Sequence, residues 1–100
     1  MYSVTYKNIL KSDKTLTDFQ KWIESSWSIQ QKWSAVSYQI WNGRQTGREV
    51  LFCRYLVSNI DRWNRGALST EANRVMKSLG KVVDIDRISI QIRKIESDNA

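Results

Sequence analysis

The chain opens on alternation. In "YSVTYKNI", Tyr2, Val4 and Tyr6 share one side and Ser3, Thr5 and Lys7 the other, the period of a strand with one buried face. After the polar stretch "KSDKT" the period lengthens. Leu16, Phe19, Ile23, Trp27 and Gln30 fall on one helical face, with Trp22, Ile29 and Trp33 on its flank, predicting a helix from Leu16 to Trp33. Thr15 or Thr17 can cap its start through a side-chain oxygen. Alternation returns in "AVSYQIWNG", with Val36, Tyr38 and Ile40 opposite Ser37, Gln39 and Trp41. The Asn-Gly pair of "NGRQTG" predicts a hairpin connection into a third, mostly apolar strand, "EVLFCRYLV". "SNID" reads as a capping box, Ser58 with Asp61, opening a short helix that stops near Gly66. A second helical piece begins near Ser69 or Thr70 and ends at Gly80, expected in the left-handed cap conformation. In "DRISIQIRKI", Ile88, Ile90 and Ile92 alternate with Arg87, Ser89, Gln91 and Arg93, a fourth strand.

The order βαββαβ, with short connections and right-handed crossovers, closes into a ferredoxin-like α+β fold: a four-stranded antiparallel sheet with its helices on one face. Residues 1–96 read as a single domain and residues 97–100 as a polar tail. The segment "VTYKNIL" also resembles the first strand of an RNA-recognition motif, whose sheet carries stacking aromatics on its helix-free face. Thr5 stands where the first stacking ring belongs. Strand three supplies one aromatic of suitable parity, Phe52, and lacks the inner glycine, so that resemblance stops at the surface of the pattern.

By parity the helix-free face carries Ser3, Thr5, Ser89 and Gln91 beside an apolar patch of Trp41, Val50, Phe52 and Leu56. Fully burying a Phe or Leu side chain is worth about 1.5 to 3 kcal/mol. An uncovered patch of this kind marks an interface, and a second copy across a two-fold axis would cover it sheet to sheet. The sequence therefore predicts a homodimer with Trp41, Val50, Phe52 and Leu56 at its interface.

Composition narrows the chemistry. Sixteen Lys and Arg against ten Asp and Glu give a charge of +6, but the basic residues are dispersed, which argues against nucleic acid as the main partner. No apolar run approaches the roughly 18 to 20 residues of a membrane span, and the N-terminal stretch lacks the layout of a signal peptide. The single cysteine, Cys53, fits a reducing, cytoplasmic setting. There is no histidine, so zinc clusters and Ser-His or Cys-His pairs have no basis, and neither metal nor cofactor is expected. Gly43, Gly47, Gly66 and Gly80 form no phosphate-cradling loop.

The layout from Phe19 to Gly80 resembles the dimeric α/β-barrel proteins, among them antibiotic-biosynthesis-monooxygenase-like and stress-responsive barrel domains. The shared features are the long first helix, strand two turning at Gly43, strand three running into "SNIDRW", and a second helix split before "STEANRVMKSLG". The resemblance implies a pocket between sheet and helices. It implies Asn8, Asn59 and Trp63 as candidate catalytic positions if the chain acts as a cofactor-independent monooxygenase on an aromatic or polyketide-like substrate. Haem degradation is argued against, because no His is available as the iron's axial ligand.

Five tryptophans in one hundred residues are the remaining signal. Tyr6, Trp27, Tyr38, Tyr55 and Trp63 are the expected lining of a pocket for a small apolar or acyl-chain-like ligand. Arg54, Arg65 and Arg93 are candidates for holding a carboxylate at its mouth. Three readings follow: a ligand-binding homodimer, a monooxygenase-like enzyme, and a weak RNA or anion binder using the basic surface.

Overall fold

A computed structural model describes residues 1–45 and 48–95, with the side chains of residues 44–49 left aside. The polar tail expected over 97–100 lies outside the described residues. Eight elements succeed one another: β1 (Tyr2–Ile9), α1 (Leu16–Lys32), β2 (Ala35–Gln45), β3 (Arg48–Val57), α2 (Ile60–Ala67), α3 (Thr70–Leu79), a 3-10 turn (Ile85–Arg87) and β4 (Ser89–Lys94). The strands form one antiparallel sheet in the order β2-β3-β1-β4, the ferredoxin-like arrangement.

Local chemistry sets most boundaries. At the start of α1 the Thr15 backbone N–H donates to Asp18 Oδ2 at 2.9 Å, and the Asp18 N–H donates back to Thr15 Oγ1 at 3.4 Å. This reciprocal box answers two amides that the first turn leaves free. It holds the Asp18 carboxyl below its ordinary range, chiefly through that backbone hydrogen bond.

The opening of α2 differs from the sequence reading. Asn59, not Ser58, is the cap, its side chain accepting from the Arg62 N–H at 3.0 Å. Ser58 is occupied elsewhere: its N–H donates to the Ser34 carbonyl at 3.0 Å. Ser34 is the one non-glycine of positive φ, 78°, among the described residues. Its hydroxyl donates to the Asn59 carbonyl at 2.8 Å and accepts from the Asn59 N–H at 3.2 Å. These bonds join the α1–β2 turn to the β3–α2 turn and offset the strain of the left-handed backbone.

Four further expectations are corrected. Pairing of β2 with β3 continues through Asn42 and Gly43 to Gln45↔Arg48, so the Asn-Gly pair is strand. The connection itself falls on residues 46–47, outside the described residues. Gly80 is right-handed, φ −61° and ψ −14°, because the chain folds on through Val82 N–H to the Leu79 carbonyl rather than reversing. Gly66 lies inside α2 rather than ending it, and its reason is contact: a Cβ there would overlap the Trp33 indole. A bulge between Ala35 and Ser37 also turns Val36 outward, 54% exposed, away from the Tyr38 and Ile40 side.

The core lies between the helices and one face of β1 and β3. Val4, Leu51, Cys53, Tyr55 and Val57 rise from the sheet to meet Phe19, Trp22 and Ile23 of α1, Trp63 of α2, and Val75 and Leu79 of α3. The helices leave the inner face of β4 largely open. Ile90 and Ile92 pair with Tyr6 and Val4 on the helix side, yet stand 57% and 46% exposed. No helix among the described residues is long and apolar enough to cross a membrane.

Candidate functional site

A cavity of about 70 Å³ sits between the sheet and the three helices. Its floor is Tyr6 and Asn8 of β1 with Cys53 and Tyr55 of β3, neighbours in register because Tyr6 pairs with Cys53 and Asn8 with Leu51. One wall is Phe19, Trp22, Gln30 and Trp33, and the other is Trp63 and Ala67 of α2 with Ala72, Val75, Met76 and Leu79 of α3. The rings interlock edge to face: Tyr6 with Tyr55 at 5.7 Å and 88°, Trp33 with Trp63 at 5.9 Å and 82°. Such packing fixes ring orientation beyond what apolar burial alone requires.

Two polar groups in this lining are left unanswered. Asn8 donates through Nδ2 to the Leu51 carbonyl at 3.4 Å, and Gln30 through Nε2 to Ser26 Oγ at 2.9 Å. The Ser26 hydroxyl gives its own proton to the Trp22 carbonyl at 3.0 Å, so it must accept from Gln30, which fixes the Gln30 amide. Asn8 Oδ1 and Gln30 Oε1 remain buried with no donor. A buried acceptor without a partner costs about 1–3 kcal/mol.

The cavity is electrically quiet. Among the described residues no Lys, Arg, Asp or Glu lines it. Burial pushes the Tyr6 hydroxyl up to about 12, only partly offset by the nearby Trp63 indole, and pushes the Cys53 thiol up to about 12. Burial also holds Tyr55 well above its ordinary value. All three are neutral near pH 7. As an ionised nucleophile or general base, none serves.

The structure brings Tyr6, Tyr55 and Trp63 of the expected lining to this cavity, together with Asn8. Trp27 and Tyr38 stand outside it, packed on each other at 4.9 Å over β2. Asn59 is exposed and committed to capping α2, which removes it from the site. The three arginines are also elsewhere. Arg65 is exposed on α2, while Arg54 and Arg93 fall by register on the opposite face of the sheet. There Arg54 donates to Thr5 Oγ1 at 3.4 Å and lies over the Trp41 ring at 5.3 Å. Of the four interface positions, Trp41 is 36% exposed and Phe52 and Leu56 are half-buried, but Val50 is already buried within the single chain. Gln30 is the polar lining residue that sequence reasoning passed over. The signal was present: an amide in the middle of an apolar helical stripe.

No protein family model matches the sequence, and no curated protein matches it. Solved structures do. The chain is similar to SnoaB, a cofactor-independent oxygenase from Streptomyces nogalater, with TM-score 0.71 and 6% identity over 97% of this chain and 94% of that one. HapK from Hahella chejuensis gives TM-score 0.71 and 9% identity over 100% and 98%. An antibiotic biosynthesis monooxygenase gives 0.63 and 8% over 96% and 99%. At these identities the likeness is one of fold: the ferredoxin-like α+β fold of the antibiotic-biosynthesis-monooxygenase-like proteins.

Proposed function

We propose that this chain binds a small, flat, largely apolar molecule bearing hydroxyl or amine donors in the helix–sheet cavity. In this reading it works as one half of a homodimer paired through the other face of the sheet, in a reducing cytoplasm. The observation that carries the ligand is the pair of buried acceptors, Asn8 Oδ1 and Gln30 Oε1, in a wall otherwise aromatic and aliphatic. An acyl chain fills such a space but answers neither oxygen; a hydroxylated ring brings the donors that both lack. The cavity is small against the roughly 300–1,000 Å³ of common ligand sites, so entry requires side chains to yield. Met76, unbranched and 40% exposed, is the part of the lining best suited to move.

Tryptophan fluorescence titrated with 2,6-dihydroxynaphthalene, with naphthalene as control, tests this. Gln30→Met keeps the volume and removes the orphan oxygen. It should weaken the dihydroxy probe about tenfold, leave naphthalene unchanged, and stabilise the empty protein by about 1 kcal/mol in urea. Equal affinity for the two probes in the parent protein would sink the reading. Native mass spectrometry adds the subunit count and any molecule carried through purification.

A second reading is favoured by the meeting of Asn8 and Trp63 at one cavity and by the fold shared with a cofactor-independent oxygenase. With no ionised group in the lining among the described residues, the substrate would have to bring its own readily lost proton. Neutral Tyr6 and Trp63 are then the donors for the oxyanion that forms. A hydroxylated anthrone tests it: oxidation of the methylene to a carbonyl consumes one O2 and releases one water. Turnover in air lost on Trp63→Phe supports the enzyme; no turnover above the buffer rate removes it.

A further inference from the structure

The helix-free face can be read position by position from the strand register. Across β2, β3, β1 and β4 its three central rows are Trp41, Phe52, Lys7, Ser89; then Gln39, Arg54, Thr5, Gln91; then Ser37, Leu56, Ser3, Arg93. Three of these positions are cationic, three carry large apolar groups, and no Asp or Glu occurs. No ion pair involves Lys7, Arg54 or Arg93 among the described residues. Trp41 and Phe52 stack at 5.4 Å and 13°, forming the apolar half of the face.

These facts conflict if the face simply meets its own copy. A two-fold operation brings Trp41, Phe52 and Leu56 together, which is favourable, but it also brings three cations from each side into one layer. Sheets pack about 10 Å apart, and like charges juxtaposed across an interface cost several kcal/mol. Arg93, on the edge strand, can turn outward to water. Arg54 is in the middle of the grid, laid flat by Thr5 and Trp41, and remains between the sheets. Beside it lies a groove of about 580 Å³ whose lining includes Ser3, Ser37, Gln39 and the cations Arg54, Arg93 and Lys94. Among the described residues its polar side chains are hydroxyls, an amide and cations, without a carboxylate. This is a lining of donors, matched to a doubly charged oxyanion through charge-assisted bonds from guanidinium groups.

We propose that the two copies pair around such an oxyanion, held by Arg54 and Arg93 of both, so that the site is complete only in the dimer and dimerisation depends on the anion. The inference rests on the pairing proposed above. The anion supplies the negative charge that the twelve central positions of the face lack, and the stacked Trp41 and Phe52 supply the apolar contact.

Analytical ultracentrifugation in chloride, sulfate and inorganic phosphate at matched ionic strength tests it. The dimer should tighten about tenfold or more in sulfate and phosphate relative to chloride. Arg54→Gln removes the central charge and keeps a donor; it should dimerise equally in all three salts while binding the cavity probe as the parent does. Equal dimerisation of the parent in every salt overturns the anion site and leaves the pairing standing. A monomer in every salt overturns the pairing, and this inference with it. A monomer that retains oligo(dT) with a steep log-salt slope assigns the face to single-stranded nucleic acid instead and overturns both.

Discussion

On the helix side of the sheet, Tyr6, Asn8, Cys53 and Tyr55 line a cavity in which no described residue is ionised; on the other side, Lys7, Arg54 and Arg93 share a face with stacked Trp41 and Phe52. The strands are the same, and so are the pairs: Tyr6 and Lys7 are adjacent residues, as are Cys53 and Arg54. What differs is the cover. Helices exclude water from one side, so neutral groups hold their protons and two amide oxygens lack donors. The other side is open, and its cations are affordable only in water or beside negative charge. Each face thus states what it lacks: proton donors beneath the helices, negative charge on the free side.

Raising the pH should give the largest contrast between them. Cys53 and Tyr6 titrate near 9.0 and 10.0 when exposed and are pushed up to about 12 in the fold. Their folded values are raised, so the unfolded chain releases these protons first. The stability they lend is whole below pH 9 and is lost as pH climbs from there toward 12. Each group costs about 1.4 kcal/mol per pH unit between its two values, which by pH 11 amounts to several kcal/mol of a total of about 5–15. Urea midpoints from pH 8 to 11 check this. Cys53→Ala should delay the onset and Tyr6→Phe should flatten the later part. A flat midpoint in the parent protein would mean that water reaches the cavity floor.

The glycines sharpen the same contrast. In an exposed helix Gly→Ala gains about 1 kcal/mol, but at Gly66 the new Cβ would overlap the five-membered ring of Trp33. The ring must leave its edge-to-face contact with Trp63, and overpacking of this kind costs about 1–3 kcal/mol. Gly66→Ala should therefore destabilise by about 2 kcal/mol and weaken the naphthalene-type probes together. A stabilised Gly66→Ala protein would show that the Trp33 wall is soft.

How far these features can be read from the sequence depends on how local their causes are. Strand alternation, the Leu16–Trp33 stripe and the split second helix are legible because each follows from neighbouring residues and the period of one element. Tyr6 and Tyr55 are legible as lining residues because strand parity chooses their side, whereas Asn8 and Trp63 enter as site candidates through the resemblance to the barrel family. Trp22 and Trp27 are not separable in that way. Trp27 lies on the predicted stripe and Trp22 on its flank, yet Trp22 meets the cavity while Trp27 covers Tyr38, an outcome of tertiary packing that helical spacing does not carry. Gly66 and Ser58 misled for one reason: their partners, Trp33 and Ser34, are distant in sequence. Arg54 could be placed by parity, but its role follows from Thr5 and Trp41 on two neighbouring strands.

The smallest effect should come from the free face. At Gly43 an added Cβ would lie 3.0 Å from Phe52 Cε2, the far edge of a ring rather than backbone. With that side uncovered the ring can tilt, and alanine suits a strand better than glycine. Gly43→Ala should leave the stability of the single chain within about 0.5 kcal/mol, in contrast to Gly66→Ala. The tilt nevertheless disturbs the Phe52–Trp41 stack, the apolar half of the proposed pairing surface. Dimer dissociation should rise severalfold while the cavity probe binds as before. If Gly43→Ala instead lowers the stability of the isolated chain as much as Gly66→Ala does, Phe52 is already held in place without a partner, and the free face is less open than its register implies.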